Sequence, residues 1–316
     1  MKRDLLTLKD FNGDELTQLI ERAKTFKDLV RKNACPKILT GKVLGLIFEK
    51  SSTRTRVSFE VAVHHLGGSA IYLNQEMSQL GRGETYADTA RVLSRYLDGL
   101  VLRTYSQTAL VELAKYAMVP VINGLTDEHH PCQLVADLLT ILEHKGTLKN
   151  VIVSYVGDGN NMAHSWIQAA ELLGFTLKIA TPPGYGVQPE FAAVAKACKK
   201  ITLTEDPKEA VQGSDVVNTD TWFSMGQEVS DEKRHAFAPF QVNTGLMALA
   251  KADAIVMHCL PAHRGEEITD DVMDGAQSVV FDEAENRLYA HMAILELLMG
   301  TSENCPSATL PKKSGA

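Results

Sequence analysis

Short apolar runs alternate with amphipathic helical patterns along almost the whole chain, and this alternation constrains the fold more than any other feature. In the first series, a run at 43–48 precedes a polar loop and a helical pattern, and the same order recurs up to a run at 119–122. A second series has runs at 151–156, 177–180, 201–203, 216–218, 255–258 and 279–281. Strands separated by helices pair in parallel, so the sequence predicts an α/β fold with two doubly wound parallel-sheet domains.

Two helices are expected to join these domains. Pro131 begins a long apolar pattern over 131–145 that ends at a Lys-Gly pair, which predicts a bridging helix. A strongly apolar C-terminal helix, 288–300, is expected to return and dock on the neighbouring domain. The predicted boundaries are therefore 1–130 for the first domain, 150–287 for the second and 302–316 for a flexible tail rich in Ser, Pro and Lys.

The composition argues against several classes of partner. A formal net charge of −7 over 316 residues is unlike that of a nucleic-acid-binding protein. No apolar run reaches the roughly 18 residues that cross a bilayer, and the first residues contain no signal-peptide core, so we expect a cytoplasmic protein with no membrane partner. The five cysteines are widely spaced without a CxxC pair, which argues against a disulfide framework and a zinc ribbon.

A polar segment between the first strand and its helix predicts an anion site. Residues 51–56 read Ser-Ser-Thr-Arg-Thr-Arg. The free N–H groups of a helix start favour a phosphate or carboxylate, and Arg54 or Arg56 would add charge-assisted hydrogen bonds. The alternative is that Ser52 or Thr53 only caps the helix while the arginines face solvent. No Walker lysine follows a glycine loop, so a nucleoside triphosphate is not implied.

The segment at 156–162 imitates a dinucleotide-binding fingerprint. Met162 stands where the third glycine belongs, and no acidic residue ends the next strand, so the pattern does not favour NAD. Asn160 and Asn161, at a predicted helix start, are better suited to hydrogen-bond a small polar ligand. Helix capping is the alternative role, and we expect it for one of the two.

Further polar residues stand where strands end or helices begin. His130 and Gln133 lie one turn apart at the start of the bridging helix, and a structural histidine is the alternative there. Asp220 follows a strand and suits a cationic amine, unless its loop is a plain surface loop. Cys259 ends another strand, either as a ligand contact or as a small buried apolar residue. The histidines and cysteines are too far apart in sequence to indicate a metal site.

Together these motifs resemble the aspartate/ornithine carbamoyltransferase family from about residue 4 to about residue 300. The resemblance implies a carbamoyl phosphate site formed by Ser52, Thr53, Arg54, Thr55, Gln79, Arg103, His130, Gln133, Cys259, Leu260 and Arg287. It also implies that the segment 75–84, through Gln79, contributes to the site of an adjacent subunit. A homotrimer with active sites at subunit interfaces is the expected assembly.

The second substrate follows from the other half of the resemblance, in which Asn161, Asp220, Ser224 and Met225 correspond to an ornithine site. The motif at 258–261 reads His-Cys-Leu-Pro, the ornithine type, whereas aspartate-specific members read His-Pro-Leu-Pro. A cis peptide between Leu260 and Pro261 is implied as well. The expected reaction transfers the carbamoyl group of carbamoyl phosphate to the δ-amine of L-ornithine, giving L-citrulline and phosphate in arginine metabolism; putrescine or N-acetylornithine is the alternative acceptor.

The expected catalytic residues are Arg103, His130 and Cys259. Arginines would neutralise the departing phosphate, while Thr55, Arg103 and His130 would donate to the carbonyl oxygen as negative charge develops on it. Cys259 and Asp220 would receive the attacking amine. Approximation of two substrates and fixed dipoles would supply the acceleration, so no metal or organic cofactor is required. An inactive binding subunit and an NAD-dependent dehydrogenase are the competing interpretations.

Overall fold

The computed structural model describes residues 2–74, 79–223 and 230–300. Its strands lie in two parallel sheets, as the alternation predicts. The first sheet has the order β2-β1-β3-β4 and the second the order β7-β6-β5-β8-β9. The strands are β1 (Val43–Phe48), β2 (Ser69–Asn74), β3 (Gly99–Arg103), β4 (Val121–Leu125), β5 (Ile152–Val156), β6 (Thr176–Ala180), β7 (Ile201–Thr204), β8 (Val216–Thr219) and β9 (Ile255–His258).

Helices follow most of the strands and connect them in the right order for parallel pairing. The α-helices are α1 (Gly13–Arg31), α2 (Thr53–His65), α3 (Tyr86–Leu93), α4 (Gln107–Tyr116), α5 (Pro131–Lys145), α6 (Asn161–Leu173), α7 (Pro189–Ala197), α8 (Pro207–Val211), α9 (Asp231–Phe237), α10 (Thr244–Met247), α11 (Asp270–Met273) and α12 (Val280–Met299). Short 3-10 helices lie at Leu8–Asp10, Leu80–Arg82 and Ala238–Phe240. In the described residues, none of these helices is both long and apolar enough to traverse a lipid bilayer.

The strand predicted at 279–281 is wrong, because Val280 begins α12. Only an isolated bridge between Ser278 and Val256 precedes this helix. Asp282 and Glu283 lie in its first turn, where negative charge stabilises the positive end of a helix. The short apolar run is thus the entry to a helix of 20 residues, which starts eight residues before the predicted position 288.

The helices α5 and α12 pack against each other and form the centre of the molecule. Residues 131–141 of α5 are buried without exception, and α12 also contacts α1, α2 and β9. A buried lysine joins three of these helices, because Lys27 Nζ donates to Glu143 Oε2 at 2.9 Å and to Asn286 Oδ1 at 2.8 Å. Lys27 thereby links the last turn of α5 to the first half of α12.

Candidate active site

The carboxyl ends of both sheets meet at a cavity of about 320 Å³. Residues at or after the ends of β1, β3 and β4 in the first sheet and residues after β5, β8 and β9 in the second sheet line this cavity. This is where open α/β sheets place their ligands. Ten of the predicted site residues line the cavity: Ser52, Thr53, Arg54, Arg103, His130, Asn161, Asp220, Cys259, Leu260 and Arg287.

The start of α2 is both capped and turned toward the cavity, so the two alternatives for this segment coexist. Ser52 is the N-cap, and its Oγ accepts a hydrogen bond of 3.3 Å from Thr55 N–H. Arg56 pairs with Glu60 at 2.9 Å and lies over the ring of Tyr72. Arg56 is therefore engaged on the outer face of the helix, and Arg54 is the arginine of this segment that lines the cavity.

Two buried arginines lie side by side, and among the described residues no carboxylate forms an ion pair with either of them. Arg103 and Arg287 are 4% and 3% exposed, and both donate to Thr55 Oγ1, at 3.3 and 2.6 Å. In the described part of the chain neither forms an ion pair, and the Nε atom of each has no hydrogen-bond partner. Burial, followed by the charge of Arg287, lowers the pKa of Arg103 to about 9. Unpaired buried cations are costly, so this arrangement is suited to a multiply charged anion.

His130 lies at the N-cap position of α5, beside the arginines. Its backbone N–H donates to Ser165 Oγ at 2.9 Å, which fixes the turn between the two halves of the molecule. Burial, and then the charge of Arg287, lowers the pKa of the His130 ring well below its usual range. The imidazole is therefore neutral, and a neutral ring can donate one hydrogen bond without placing a third positive charge in the site.

A thiol and a carboxyl group form the opposite wall. Cys259 Sγ donates to Asp220 Oδ1 at 3.2 Å, and Asn160 Nδ2 donates to Asp220 Oδ2 at 2.8 Å. Burial, and then the charge of Asp220, raises the pKa of Cys259 well above its usual range. The thiol is therefore a protonated donor rather than a thiolate nucleophile, and Asp220 is the group on this wall that can attract a cationic amine.

The two asparagines at the start of α6 divide the roles as expected. Asn160 is the N-cap, and its Oδ1 accepts from the Met162 N–H at 2.9 Å. Asn161 lines the cavity and donates through Nδ2 to the carbonyl oxygen of Thr126 at 2.7 Å. Its side-chain position is thus fixed by a contact between the two halves of the chain.

The turn after β9 contains the implied cis peptide between Leu260 and Pro261. Leu260 N–H donates to His258 Nδ1 at 2.8 Å, so the opposite ring nitrogen of His258 carries the hydrogen and faces Glu267 Oε1 at 3.0 Å. Ligand atoms of Asp220, His258 and Cys259 lie within 4.8 Å of one another. Both nitrogens of His258 are already engaged, which leaves this ring without a free lone pair for a metal.

Some predicted site residues are not at the cavity surface. Thr55 lies behind it as the acceptor for both arginines, and Gln133 is fully buried one turn beyond His130. Gln79 is exposed just before the 3-10 helix Leu80–Arg82. Ser224 and Met225, together with residues 75–78 of the predicted intersubunit segment and the predicted tail 302–316, lie outside the described residues.

Three polar residues were missed by the sequence interpretation, and one of them is His263, which lines the cavity although no role was expected for residues 262–265. Lys50 lines the cavity, donates to Asp127 Oδ1 at 2.6 Å and lies over the ring of Tyr105 at 4.5 Å. Its position directly before the predicted anion segment was an available signal. Glu267, fully buried against His258, gave no signal because an isolated glutamate in a loop reads as a surface residue.

Comparison with known proteins identifies the family of the chain. Residues 3–143 match the model of the carbamoyl-P binding domain of aspartate/ornithine carbamoyltransferase, and residues 149–298 match that of the Asp/Orn binding domain. An ornithine carbamoyltransferase of Desulfotalea psychrophila is 53% identical over 303 residues, which cover 95% of this chain and 100% of the relative. A Pyrococcus furiosus relative named as an anabolic ornithine carbamoyltransferase is 53% identical over 306 residues, covering 94% and 96%.

Solved structures give the same result. The ornithine carbamoyltransferase structure from Pyrococcus furiosus has a TM-score of 0.90 at 53% identity and covers 94% of this chain and 97% of its own. The structure from Burkholderia thailandensis has a TM-score of 0.87 at 44% identity, with coverages of 94% and 98%. By sequence along nearly its whole length and by fold, the chain belongs to the aspartate/ornithine carbamoyltransferase family.

Proposed function

We propose that this protein transfers the carbamoyl group of carbamoyl phosphate to the δ-amine of L-ornithine, giving L-citrulline and inorganic phosphate. The observation that carries the proposal is the cavity with two buried, unpaired arginines on one side and the Cys259–Asp220 hydrogen bond on the other. One wall suits a dianion and the other suits an amine. The names of the relatives support the same pair of substrates.

The phosphate group would lie between the start of α2 and the buried arginines. Ser52 and Thr53 offer hydroxyls there, and Arg54, Arg103 and Arg287 offer positive charge. As the amine nitrogen bonds to the carbamoyl carbon, the bond from that carbon to the phosphate oxygen breaks, and phosphate carries away the electron pair. The arginines stabilise this leaving group, because they are fixed before the reaction starts.

The carbamoyl carbonyl oxygen would be held by Arg103 and His130. Negative charge develops on this oxygen when the amine attacks, and a charged and a neutral donor together stabilise it. Gln133 would bind the carbamoyl NH2 group from its position one turn along α5. Leu260, in the cis-peptide turn, completes the carbamoyl phosphate side of the proposed site.

The δ-amine of ornithine would be received by Asp220 and Cys259. The protonated amine must release one proton to solvent before it attacks, and Asp220 can accept the hydrogen bond that orients the neutral amine. The second proton that the nitrogen loses when it bonds to the carbamoyl carbon would pass to the departing phosphate. Asn161 would hold the amino-acid end of ornithine, together with Ser224 and Met225. The same residues argue against putrescine, which has no carboxylate to be held.

We also propose a homotrimer in which Gln79 of one subunit reaches the site of its neighbour. Gln79 is exposed and does not line the cavity of its own chain, which supports a role elsewhere. Exposed apolar residues Val57, Val61 and Ile71, on α2 and the edge strand β2, support a subunit contact beside it. Measurement of the native mass tests the trimer, and a monomeric mass contradicts it.

The proposed physiological role is arginine biosynthesis in the cytoplasm, without a metal or organic cofactor. A relative named as anabolic supports the direction of the pathway. Restoration of arginine-independent growth in a strain that lacks this activity tests the role, and cell fractionation tests the location. Full activity after dialysis against a chelator tests the independence from metal.

The decisive experiment offers ornithine, putrescine, N-acetylornithine and aspartate in parallel with carbamoyl phosphate. We expect citrulline from ornithine at a kcat/KM that exceeds those of the other acceptors. Preference for any other amine overturns the acceptor assignment. Absence of product with all four acceptors would favour the alternative of an inactive binding subunit. Binding of NADH would favour the alternative of an NAD-dependent dehydrogenase.

A further inference from the structure

A buried carboxyl pair lies next to the site without taking part in any step described so far. Asp137 is one turn after Gln133 on α5, and Glu283 is one turn before Arg287 on α12. Gln133 Nε2 donates to Asp137 Oδ1 at 2.8 Å and to Glu283 Oε1 at 3.1 Å. All three side chains are fully buried.

The pair also reaches the opposite wall of the cavity. Glu283 Oε2 accepts a hydrogen bond of 2.8 Å from the backbone N–H of His258, the residue directly before Cys259. One carboxyl group therefore contacts both the predicted carbamoyl phosphate side, through Gln133, and the predicted amine side, through the end of β9.

The charge of Arg287 lowers the pKa of both carboxyl groups, but Arg287 donates a hydrogen bond to neither of them. Asp137 and Glu283 are hydrogen-bonded to each other, and in the described residues no lysine, arginine or histidine side chain donates to either carboxyl. Burial raises the pKa of Asp137 to about 7, and burial followed by the charge of Asp137 raises the pKa of Glu283 well above its usual range. Two touching, buried carboxyl groups do not both ionise, since the second charge would be neither solvated nor paired.

The donors indicate where the proton lies. Both oxygens of Glu283 accept from N–H groups, whereas Asp137 Oδ2 is buried and receives no donor. A proton on Asp137 Oδ2, directed at Glu283, satisfies this oxygen and leaves Glu283 as the acceptor. With Nε2 committed to the two carboxyls, the Oε1 of Gln133 remains a buried acceptor without a partner.

We propose that Asp137 and Glu283 share one proton, and that this pair holds the Gln133 carboxamide with Oε1 available to accept from the NH2 group of carbamoyl phosphate. The inference rests on the proposed function and assigns both acids as positioning residues. Rotation of the carboxamide by half a turn would direct Oε1 at the acids and present Nε2 to the ligand NH2, donor against donor. The shared proton would thus contribute to recognition of a carbamoyl group.

The two isosteric variants have different expected effects. Asp137→Asn replaces the protonated carboxyl group by a carboxamide, which is also neutral and can also donate to Glu283. Affinity for carbamoyl phosphate and kcat should therefore stay within about threefold of wild type. In Glu283→Gln, the new NH2 group faces the N–H of Gln133 or of His258, so at least one of these hydrogen bonds is lost. The Gln133 carboxamide is then free to rotate. Affinity for carbamoyl phosphate should fall about ten- to hundredfold, while affinity for inorganic phosphate, which has no NH2, should fall less than about threefold.

The matched control is Glu285→Gln on the same helix, whose side chain is partly exposed, and it should behave as wild type. Equal losses for Asp137→Asn and Glu283→Gln, or equal losses of affinity for the two anions in Glu283→Gln, overturn the proposal. Infrared spectroscopy of the ligand-free protein at pH 7 gives an independent test. A carbonyl band from a protonated, buried carboxyl should be present in wild type and absent in Asp137→Asn.

Absence of that band in wild type, or its persistence in Asp137→Asn, contradicts the shared proton even if Glu283→Gln does not fold. The infrared result needs no turnover. If wild type makes no citrulline but shows the band, the proposed function fails and the shared proton stands.

Discussion

Arg287 in α12 donates a hydrogen bond of 2.6 Å from Nη2 to the hydroxyl of Thr55 in the first turn of α2. The same hydroxyl accepts from Arg103 at 3.3 Å, so one small side chain aligns two guanidinium groups from distant parts of the sequence. The two positively charged guanidinium groups are therefore held close together in the protein interior.

Loss of Arg103 should affect turnover rather than folding. Arg103→Ala removes a buried cation that donates to the leaving phosphate and the carbonyl oxygen in the proposed reaction. We expect kcat to fall by roughly 10²- to 10³-fold, with the circular dichroism spectrum unchanged. Arg91→Ala, which removes an exposed arginine paired with Asp88, is the matched control and should leave kcat unchanged. Near-normal turnover of Arg103→Ala would remove this residue from the proposed mechanism.

Replacement of Cys259 should separate the two substrates. Cys259→Ser keeps a donor of similar size toward Asp220 but changes its length and acidity, so the amine side of the site is disturbed. We expect the KM for ornithine to rise about tenfold or more, from a disturbance of about 1–2 kcal/mol, with little change in the dissociation constant of carbamoyl phosphate. Steady-state kinetics and calorimetry measure the two quantities. Equal damage to both substrates would instead indicate a packing role.

Acid should destabilise the protein through two buried histidines. Burial lowers the pKa of His129 and of His164 to about 4, while the unfolded chain titrates near 6.5. The unfolded state therefore binds more protons between these values, and the free energy of unfolding falls as pH drops from about 6.5 to about 4. At pH 5 each histidine should lower the free energy of unfolding by about 2 kcal/mol.

His164→Gln tests this effect, because glutamine can still donate and accept but does not titrate. In wild type, His164 Nε2 accepts from Gln188 N–H at 3.2 Å, and Nδ1 contacts the carbonyl oxygen of Glu128 at 3.1 Å. Urea unfolding should show that the free energy of unfolding falls between pH 7 and pH 5 by about 2 kcal/mol less in the variant than in wild type. The same loss in both proteins would mean that His164 does not contribute to the acid sensitivity.

The buried lysine that joins α1, α5 and α12 should be important for stability. Lys27→Met removes the ammonium group that donates to Glu143 Oε2 and Asn286 Oδ1, so the Glu143 carboxylate keeps its hydrogen bond from Asn286 Nδ2 but loses the charge of Lys27. We expect the free energy of unfolding to fall by about 3 kcal/mol. Lys9→Met, which removes an exposed ion pair with Glu171, is the control and should cost less than about 1 kcal/mol. Similar values for the two variants would contradict a special role for the buried contact.

Much of the fold was predictable because buried parallel strands are short, apolar and separated by helices. The runs at 43–48 and 255–258 became strands with the predicted bounds. The run at 279–281 did not, since three apolar residues fit a helix entry as well as a strand and the acids that follow favour a helix. An apolar run of three residues is therefore too short to distinguish a strand from the first turn of a helix.

Site residues were predictable where several polar residues lie together in one short motif. They were less predictable where a residue acts with a partner that is distant in the sequence. The choice between Arg54 and Arg56 needed the structure, although Glu60, four residues after Arg56, was a visible local partner. Asp137 and Glu283 are separated by almost half the chain, so no spacing rule could have joined them. Long-range pairs of this kind require the fold before their chemistry can be recognised.

The position of α12 also has a consequence for synthesis of the protein on the ribosome. Arg287 in its first half completes the arginine pair, and Met299 at its end packs against Gly99 of β3, where the sulfur would lie 2.7 Å from an added Cβ. The core of the N-terminal sheet is thus closed by α12, the final helix of the described residues. A nascent chain that lacks these residues has an open core and half an anion site, so activity arises only after translation has passed residue 299.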